Sequence, residues 1–215
     1  MASVYLFDLD GTLVDTEILW VEAMELLAKE RGYELTREVA LNMVYGISWP
    51  EVYERFLKRF PELTMSIEAM GEAINPYFLQ LRDSQDVRIP GSIALVKELA
   101  KEHTVAVVSG SYRYDVEAGI RIAGIEPYLK FYLGHEDYTP GKPDPACYVA
   151  AAKLAGVETA QCVVFEDSWA GVTAAKEAGA FAVALSRPGR PAQDYSQADL
   201  ILSDLSEFDP SQVKR

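Results

Sequence analysis

The chain has 215 residues, of which 49% are hydrophobic and 25% charged. This composition is typical of a folded globular protein and excludes general disorder, and the length suits one domain or one domain carrying an insertion. No apolar run reaches the roughly 18 residues of a membrane span, and the N-terminus lacks a secretory signal, so we expect a cytoplasmic protein. The 20 basic and 33 acidic residues give a net charge of −13, which disfavours binding to nucleic acid or to an anionic membrane.

The first element is a short apolar run at residues 4–7, which predicts a buried strand that ends at Asp8. Apolar residues then recur at helical spacing over residues 15–30, and the stretch from 36 to 81 is also predicted to be mostly helical. Within that stretch, one helix is predicted to begin after Ser48 and another to extend from Ser66 to Leu79.

From residue 90 onward the pattern changes, and apolar runs alternate with helical segments. Predicted strands cover residues 105–108, 131–133, 162–165, 181–185 and 200–202. Helices are predicted between them, with stops at Gly124, Gly156 and Gly179. Strands that are apolar throughout and alternate with helices indicate a parallel sheet covered on both faces. The predicted fold is therefore an α/β, Rossmann-like sheet, with residues 1–15 and 83–215 as the core domain and residues 16–82 as an inserted helical-bundle domain.

Carboxylates follow two of the predicted strands. Asp8 and Asp10 follow the first strand, and Glu166 and Asp167 follow the strand at 162–165. Because ligands of such sheets bind beyond the carboxyl ends of the strands, we expect these four groups to converge. Carboxylates that meet in a crevice repel each other unless a cation neutralises them or one is protonated, and an oxygen-rich site of this kind suits Mg²⁺.

Two further segments at strand ends are candidates for binding an anion. Ser109, Gly110 and Ser111 follow the second strand and are predicted to open a helix, whose exposed amides and hydroxyl groups could hold an anion. Lys142 lies between Gly141 and a proline, two residues that set the conformation of a loop, so its side chain is expected to be held in a defined place. Its position in the sequence alone is explained more simply by a lysine on the surface. The two cysteines, Cys147 and Cys162, are expected to be packed thiols in a reducing compartment.

Four segments resemble, in chain order, the four motifs of the haloacid dehalogenase-like hydrolase superfamily. They are residues 7–15 (FDLDGTLVD), 107–109 (VVS), 141–145 (GKPDP) and 164–168 (VFEDS). The resemblance extends over about residues 4 to 205. The inserted helical block resembles the four-helix cap of the branch that contains β-phosphoglucomutase and many small sugar-phosphate phosphatases.

The resemblance implies a phosphatase that hydrolyses small phosphorylated metabolites with the help of Mg²⁺. Asp8 is implied as the nucleophile that forms an aspartyl-phosphate, and Asp10 as the general acid and then the base that activates water. The metal ion is implied to be held by the Asp8 carboxylate, the Asp10 backbone carbonyl and Asp167. Glu166 is implied to lie beside the ion or to bind it as well.

The same resemblance implies a phosphoryl-binding group made of Ser109, Lys142 and the amide of Gly110. It further implies that the helical cap opens and closes over the cleft, with hinges near residues 14–16 and 83–89. The expected partner is a phosphorylated small molecule such as a sugar phosphate, a polyol phosphate or phosphoglycolate. The oligomeric state is open between a monomer and a small homo-oligomer.

A phosphomutase of the β-phosphoglucomutase type is the main alternative. Thr12 follows Gly11 as in the phosphatases, where β-phosphoglucomutases usually carry valine. Trp20 and Trp49 stand where the mutases tend to have histidine and arginine, and neither can orient a sugar bisphosphate as those polar groups would. We therefore favour hydrolysis, although cap packing is the simplest role for both tryptophans.

Two further alternatives are ranked lower. A 2-haloacid dehalogenase would use Asp8 on a carbon–halogen bond, but such chemistry leaves Asp10 and the pair Glu166 and Asp167 without a role. A non-catalytic binding protein on this scaffold is expected to have lost Asp8 or Asp10, and both are present.

Overall fold

The chain divides into two compact units in a computed structural model that describes residues 4–213. The first unit consists of the segment up to Val14 and the segment from Arg88 onward, and the second consists of Asp15–Val87. No helix within the described range has the length and apolar character needed to cross a membrane.

The first unit contains a six-stranded parallel sheet. Its strands are β1 (Val4–Phe7), β2 (Thr104–Val108), β3 (Phe131–Leu133), β4 (Cys162–Glu166), β5 (Phe181–Leu185) and β6 (Leu200–Leu202). They lie in the order β3-β2-β1-β4-β5-β6, and every neighbouring pair is parallel. Phe7 at the end of β1 is in register with Val107 of β2 and Phe165 of β4, so the carboxyl ends of these three strands lie side by side.

The second unit is helical and is formed by four helices. They are α1 (Glu17–Glu30), α2 (Arg37–Val44), α3 (Trp49–Arg59) and α4 (Ile67–Ser84). One buried cluster, which includes Met24, Phe56 and Met70, holds them together. Helix α4 ends at Ser84, five residues beyond the predicted end at Leu79, because its pattern continues through a partly buried stretch that includes Leu81.

Four more helices complete the first unit. They are α5 (Pro90–Leu99), α6 (Arg113–Ala123), α7 (Ala146–Ala155) and α8 (Trp169–Glu177). Helices α7 and α8 pack on one face of the sheet in a cluster with Leu6, Val108 and Val164. Tyr5, Phe7 and Phe165 point to the opposite face and are also buried. Both faces are covered, and the predicted α/β fold is confirmed.

The chain leaves the first unit and returns to it at one place. Val14 forms an antiparallel bridge with Arg88, and the amide of Ile89 donates to the carbonyl of Leu13. The two connecting segments therefore run side by side, directly after the loop that follows β1.

Candidate active site

Three carboxylates converge at the carboxyl edge of the sheet. Asp8 follows β1, Glu166 is the last residue of β4, and Asp167 comes next in the chain. One carboxylate oxygen from each lies within 4.8 Å of the other two. Because β1 and β4 are hydrogen-bonded neighbours, the parallel sheet itself brings the two motifs together, as the sequence predicts.

Lys142 joins two of these carboxylates, Asp8 and Glu166. Its ammonium donates to Asp8 Oδ1 at 2.6 Å, to Glu166 Oε1 at 2.6 Å and to the carbonyl of Val108 at 3.1 Å. Each of the three ammonium hydrogens thus has an acceptor. Only 11% of the lysine side chain is exposed, so the simpler reading of Lys142 as a surface lysine is wrong.

The charges of the cluster do not balance. Burial raises the pKa of Asp8 well above its usual value, and the charges of Glu166 and Asp10 raise it further, whereas Lys142 opposes the shift. Burial alone would lower the pKa of Lys142, but Asp8 and Glu166 outweigh it and raise this pKa. One ammonium therefore serves several carboxylates, and the excess of negative charge fits an additional bound cation.

The raised pKa of Asp8 has a consequence for stability. Without a metal ion, the folded protein keeps a proton on Asp8 over a pH range in which the unfolded chain has lost it. The contribution of this group to stability is therefore fully present at low pH, and it is lost as the pH rises through the folded-state pKa. A divalent cation that binds the ionised carboxylate opposes this loss.

Asp10 is held by the turn that follows β2. Ser111 Oγ donates to Asp10 Oδ2 at 2.7 Å, and Ser109 Oγ lies 3.4 Å from the same oxygen. The amide of Ser111 donates to Ser109 Oγ at 3.0 Å, which closes the turn. Ser109 thus lies beside Asp10, and Ser111 is a second partner of Asp10 that the sequence indicated only as part of the turn.

The helix predicted after this turn is present and ends at Ala123 as expected, but the turn itself lies outside it. Helix α6 begins at Arg113, two residues after Ser111. The amide of Arg113 donates to the carboxylate of Glu136 at 2.9 Å, so a protein side chain already occupies this helix N-terminus. An anion at this edge of the sheet would therefore bind to the turn itself, where Gly110 is exposed.

Asp167 fits against the loop that follows β1. A Cβ atom added at Gly11, which has φ of +83°, would lie 1.9 Å from Asp167 Oδ2. Thr12 Oγ1 lies 3.4 Å from Asp167 Oδ1, and the Tyr195 hydroxyl donates to the backbone carbonyl of Asp167. Glycine is required at position 11 both for its backbone conformation and for this close approach.

Glu166 is fully buried and hydrogen-bonded at both oxygens. The Tyr148 hydroxyl donates to Oε1 at 2.7 Å, the oxygen that also accepts from Lys142, and Ser168 Oγ donates to Oε2 at 3.0 Å. Ser168 also accepts from the amide of Gly171 at the start of α8. A Cβ atom added at Gly171 would lie 1.8 Å from Glu166 Oε1, so α8 can approach the carboxylate only with glycine there.

We therefore expect Gly171→Ala to lower the free energy of unfolding by about 1–3 kcal/mol, because the added methyl group overpacks against a carboxylate that is fixed by its partners. Chemical denaturation monitored by circular dichroism measures the change. Gly71→Ala is the matched control, since Gly71 also lies within a helix and nothing lies within 4 Å of its added Cβ. Equal stability of the two variants would contradict the close packing of Gly171 on Glu166.

The fold and this cluster together define an α/β enzyme whose centre is built from carboxylates and a buried lysine. The chain belongs to the haloacid dehalogenase-like hydrolases, since the sequence model of that family matches residues 5–185. The family resemblance found in the motifs is thereby confirmed.

Known relatives and a solved structure are similar to the chain over nearly its whole length. The chain is 31% identical over 208 residues to validoxylamine A 7'-phosphate phosphatase of Streptomyces hygroscopicus subsp. limoneus, covering 96% of each chain. It is 29% identical to hexitol phosphatase A of Escherichia coli (strain K12), covering 95% of this chain and 92% of the relative. The crystal structure of a CbbY mutant from Rhodobacter sphaeroides in complex with xylulose-(1,5)bisphosphate has the same fold, with a TM-score of 0.79 at 23% identity over 100% of both chains.

Proposed function

We propose that this protein is a Mg²⁺-dependent phosphatase that hydrolyses small phosphorylated metabolites, with sugar phosphates as the first candidates. The observation that carries the proposal is the placement of Asp8 at the carboxyl edge of the sheet. Its carboxylate is bonded to Lys142, and one of its oxygens lies within 4.8 Å of an oxygen of Asp167. Two relatives over nearly the whole chain are named as phosphatases of a validoxylamine phosphate and of hexitols, which supports a polyhydroxylated substrate.

In the proposed first step, Asp8 attacks the phosphorus atom of the substrate. The bond from phosphorus to the ester oxygen breaks, an aspartyl-phosphate forms, and Asp10 gives its proton to the departing alkoxide. Lys142, Ser109 and the amide of Gly110 are proposed to hold the phosphoryl oxygens as charge moves between them. For Lys142 this requires exchanging one of its three present acceptors for a phosphoryl oxygen.

In the proposed second step, Asp10 takes a proton from a water molecule, which attacks the same phosphorus atom. The bond to Asp8 breaks, inorganic phosphate leaves, and both carboxylates return to their starting states. The Asp8 carboxylate, the Asp10 backbone carbonyl and Asp167 would hold a Mg²⁺ ion, with Glu166 beside it or bound as well. The ion would supply positive charge that lowers the repulsion between an anionic nucleophile and an anionic substrate. The charge excess of the cluster supports this assignment.

Asp167→Asn is expected to raise the Mg²⁺ concentration for half-maximal activity by about ten-fold or more, because an amide oxygen is a weaker ligand for a hard cation than a carboxylate. Titration of activity with Mg²⁺ and calorimetric Mg²⁺ binding both measure the change. Asp194→Asn is the matched control, because Asp194 is exposed and accepts a hydrogen bond from the amide of nearby Ser196. Unaltered Mg²⁺ affinity in Asp167→Asn, or full activity in excess chelator, would overturn the metal assignment.

The substrate class is tested with purified protein and a panel of phosphorylated metabolites, by measuring the release of inorganic phosphate. The proposal expects phosphate release from at least one sugar or polyol phosphate. Incubation with a hexose 1-phosphate separates the alternatives, since a phosphomutase would form the 6-phosphate without net release of phosphate. Formation of the 6-phosphate would overturn hydrolysis as the activity.

We further propose that the helical unit is the substrate-selecting cap, with residues 16–82 as its predicted extent. Trp20 stacks on Phe78 with ring centroids 4.0 Å apart and lies 5.6 Å from Trp49, so these two tryptophans help to pack the unit. Within the same unit, the Tyr45 hydroxyl donates to Asp15 at 2.7 Å, and this bond fixes the end of α2 to the beginning of the unit.

A cytoplasmic location is also proposed, and it fits the two buried thiols.

A further inference from the structure

We infer that Tyr148 is a positioning residue for the reaction, because its hydroxyl group fixes the Glu166 carboxylate and thereby keeps Lys142 on Asp8. The inference rests on the proposed function for its kinetic consequence. The hydrogen bonds on which it is based do not depend on any substrate, so the positioning role and the proposed function can be tested separately.

Tyr148 and Lys142 share one acceptor. The Tyr148 hydroxyl lies 2.7 Å from Glu166 Oε1, and Lys142 Nζ lies 2.6 Å from the same oxygen. Tyr148 and Glu166 are both completely buried, so no solvent replaces either bond. The ring of Tyr148 also lies beneath the ammonium, with Nζ 5.4 Å from the ring centroid.

The shared acceptor links Tyr148 to the nucleophile. Lys142 donates to Asp8 and to Glu166 at the same distance of 2.6 Å, so the two carboxylates compete for one ammonium. The bond from Tyr148 satisfies part of the acceptor capacity of Glu166 and weakens its hold on the ammonium. Without that bond, a buried carboxylate attracts Lys142 more strongly, and the ammonium moves away from Asp8.

Packing alone does not account for a tyrosine at this position. The side chain belongs to the buried cluster between α7 and the sheet, and phenylalanine would fill the same volume. The hydroxyl group adds a polar atom to an apolar interior, which costs free energy unless that atom is bonded. Its acceptor is the carboxylate next to Asp167, so the polar contact serves the cluster rather than the core.

The kinetic test compares Tyr148→Phe with the wild-type protein. We expect kcat to fall by about ten-fold, while KM and the half-saturating Mg²⁺ concentration change by less than about two-fold, because the lost interaction acts on Asp8 and Lys142 during the chemical step. Tyr53→Phe is the matched control, since the Tyr53 hydroxyl donates at 2.9 Å to the carbonyl of Met65 within the helical unit. Wild-type kcat in Tyr148→Phe, or an equal loss in both variants, would overturn the inference.

A second measurement needs no substrate and no metal ion. In protein labelled with ¹⁵N-lysine, the buried Lys142 ammonium should give a slowly exchanging Nζ signal, which is assigned by its absence from Lys142→Met. Tyr148→Phe should shift this signal and speed its hydrogen exchange several-fold, whereas Tyr53→Phe should leave it unchanged. An unchanged signal in Tyr148→Phe would overturn the positioning role. If the wild-type protein released no phosphate from any substrate, the proposed function would fail, and the Nζ signal would still decide the role of Tyr148.

Discussion

Replacing Asp8 with asparagine should lower kcat by about 10⁴-fold or more, because the amide oxygen is a poor nucleophile toward phosphorus and the variant has no carboxylate to receive the phosphoryl group. The fold should survive the change. Burial raises the pKa of Asp8, so its ionised form is costly in the absence of a metal ion, and the neutral amide avoids that cost. Release of p-nitrophenol from p-nitrophenyl phosphate measures the activity, and thermal unfolding measures the stability.

Asp209→Asn is the control for this experiment. Asp209 is exposed and accepts a hydrogen bond from the amide of Ser211, far from the cluster in the chain. It should keep wild-type kcat. Trapping the acyl phosphate with hydroxylamine should label Asp8 in the wild-type protein and nothing in Asp8→Asn. Normal phosphate release by a folded Asp8→Asn protein would remove Asp8 from the role of nucleophile.

Replacing Asp10 with asparagine should lower kcat for alkyl phosphates by about 10³-fold, because both the proton donor of the first step and the base of the second are lost. An aryl phosphate separates the two steps, since nitrophenolate leaves without a proton. Asp10→Asn should therefore release a burst of one nitrophenol per enzyme molecule and then turn over slowly. The hydrogen bond from Ser111 can remain, because the asparagine side chain still offers an oxygen.

Rapid-mixing measurements with p-nitrophenyl phosphate test the burst. The wild-type protein should give a linear time course, since water attack is fast while Asp10 is present. A linear time course at the wild-type rate in Asp10→Asn would contradict both roles of this residue. Mass spectrometry of the quenched variant should show an added phosphoryl group during the slow phase.

The sheet and its acidic edge were predictable from the sequence because both depend on local patterns. Six apolar runs alternate with helical segments, and parallel pairing then places the residues that follow β1 and β4 at one edge. Asp8 and Asp167 therefore converge without any knowledge of side-chain packing. The helix predicted after residues 109–111 is also present, but it begins only at Arg113, because the turn before it is closed by its own serines.

The supporting hydrogen bonds could not be predicted, because each joins distant parts of the chain. Tyr148 reaches Glu166 across 18 positions and Tyr195 reaches Asp167 across 28, and Ser111 reaches Asp10 across 101. In the sequence, Tyr148 is one of several apolar or aromatic residues on a helix, and a packing role is the default for such a residue. The hydrogen bond from the Tyr148 hydroxyl to Glu166 depends on how α7 packs on the sheet, which the sequence pattern does not show.

The side-by-side segments at Val14 and Arg88 make the helical insertion interchangeable in principle. Since its two ends lie side by side at the Val14–Arg88 bridge, a segment of quite different length can occupy the same place without disturbing the strand order. Substrate preference and phosphoryl chemistry can then diverge separately during evolution. Replacing residues 15–87 with the corresponding segment of a related enzyme would be a direct way to transfer the substrate preference of that enzyme onto this sheet.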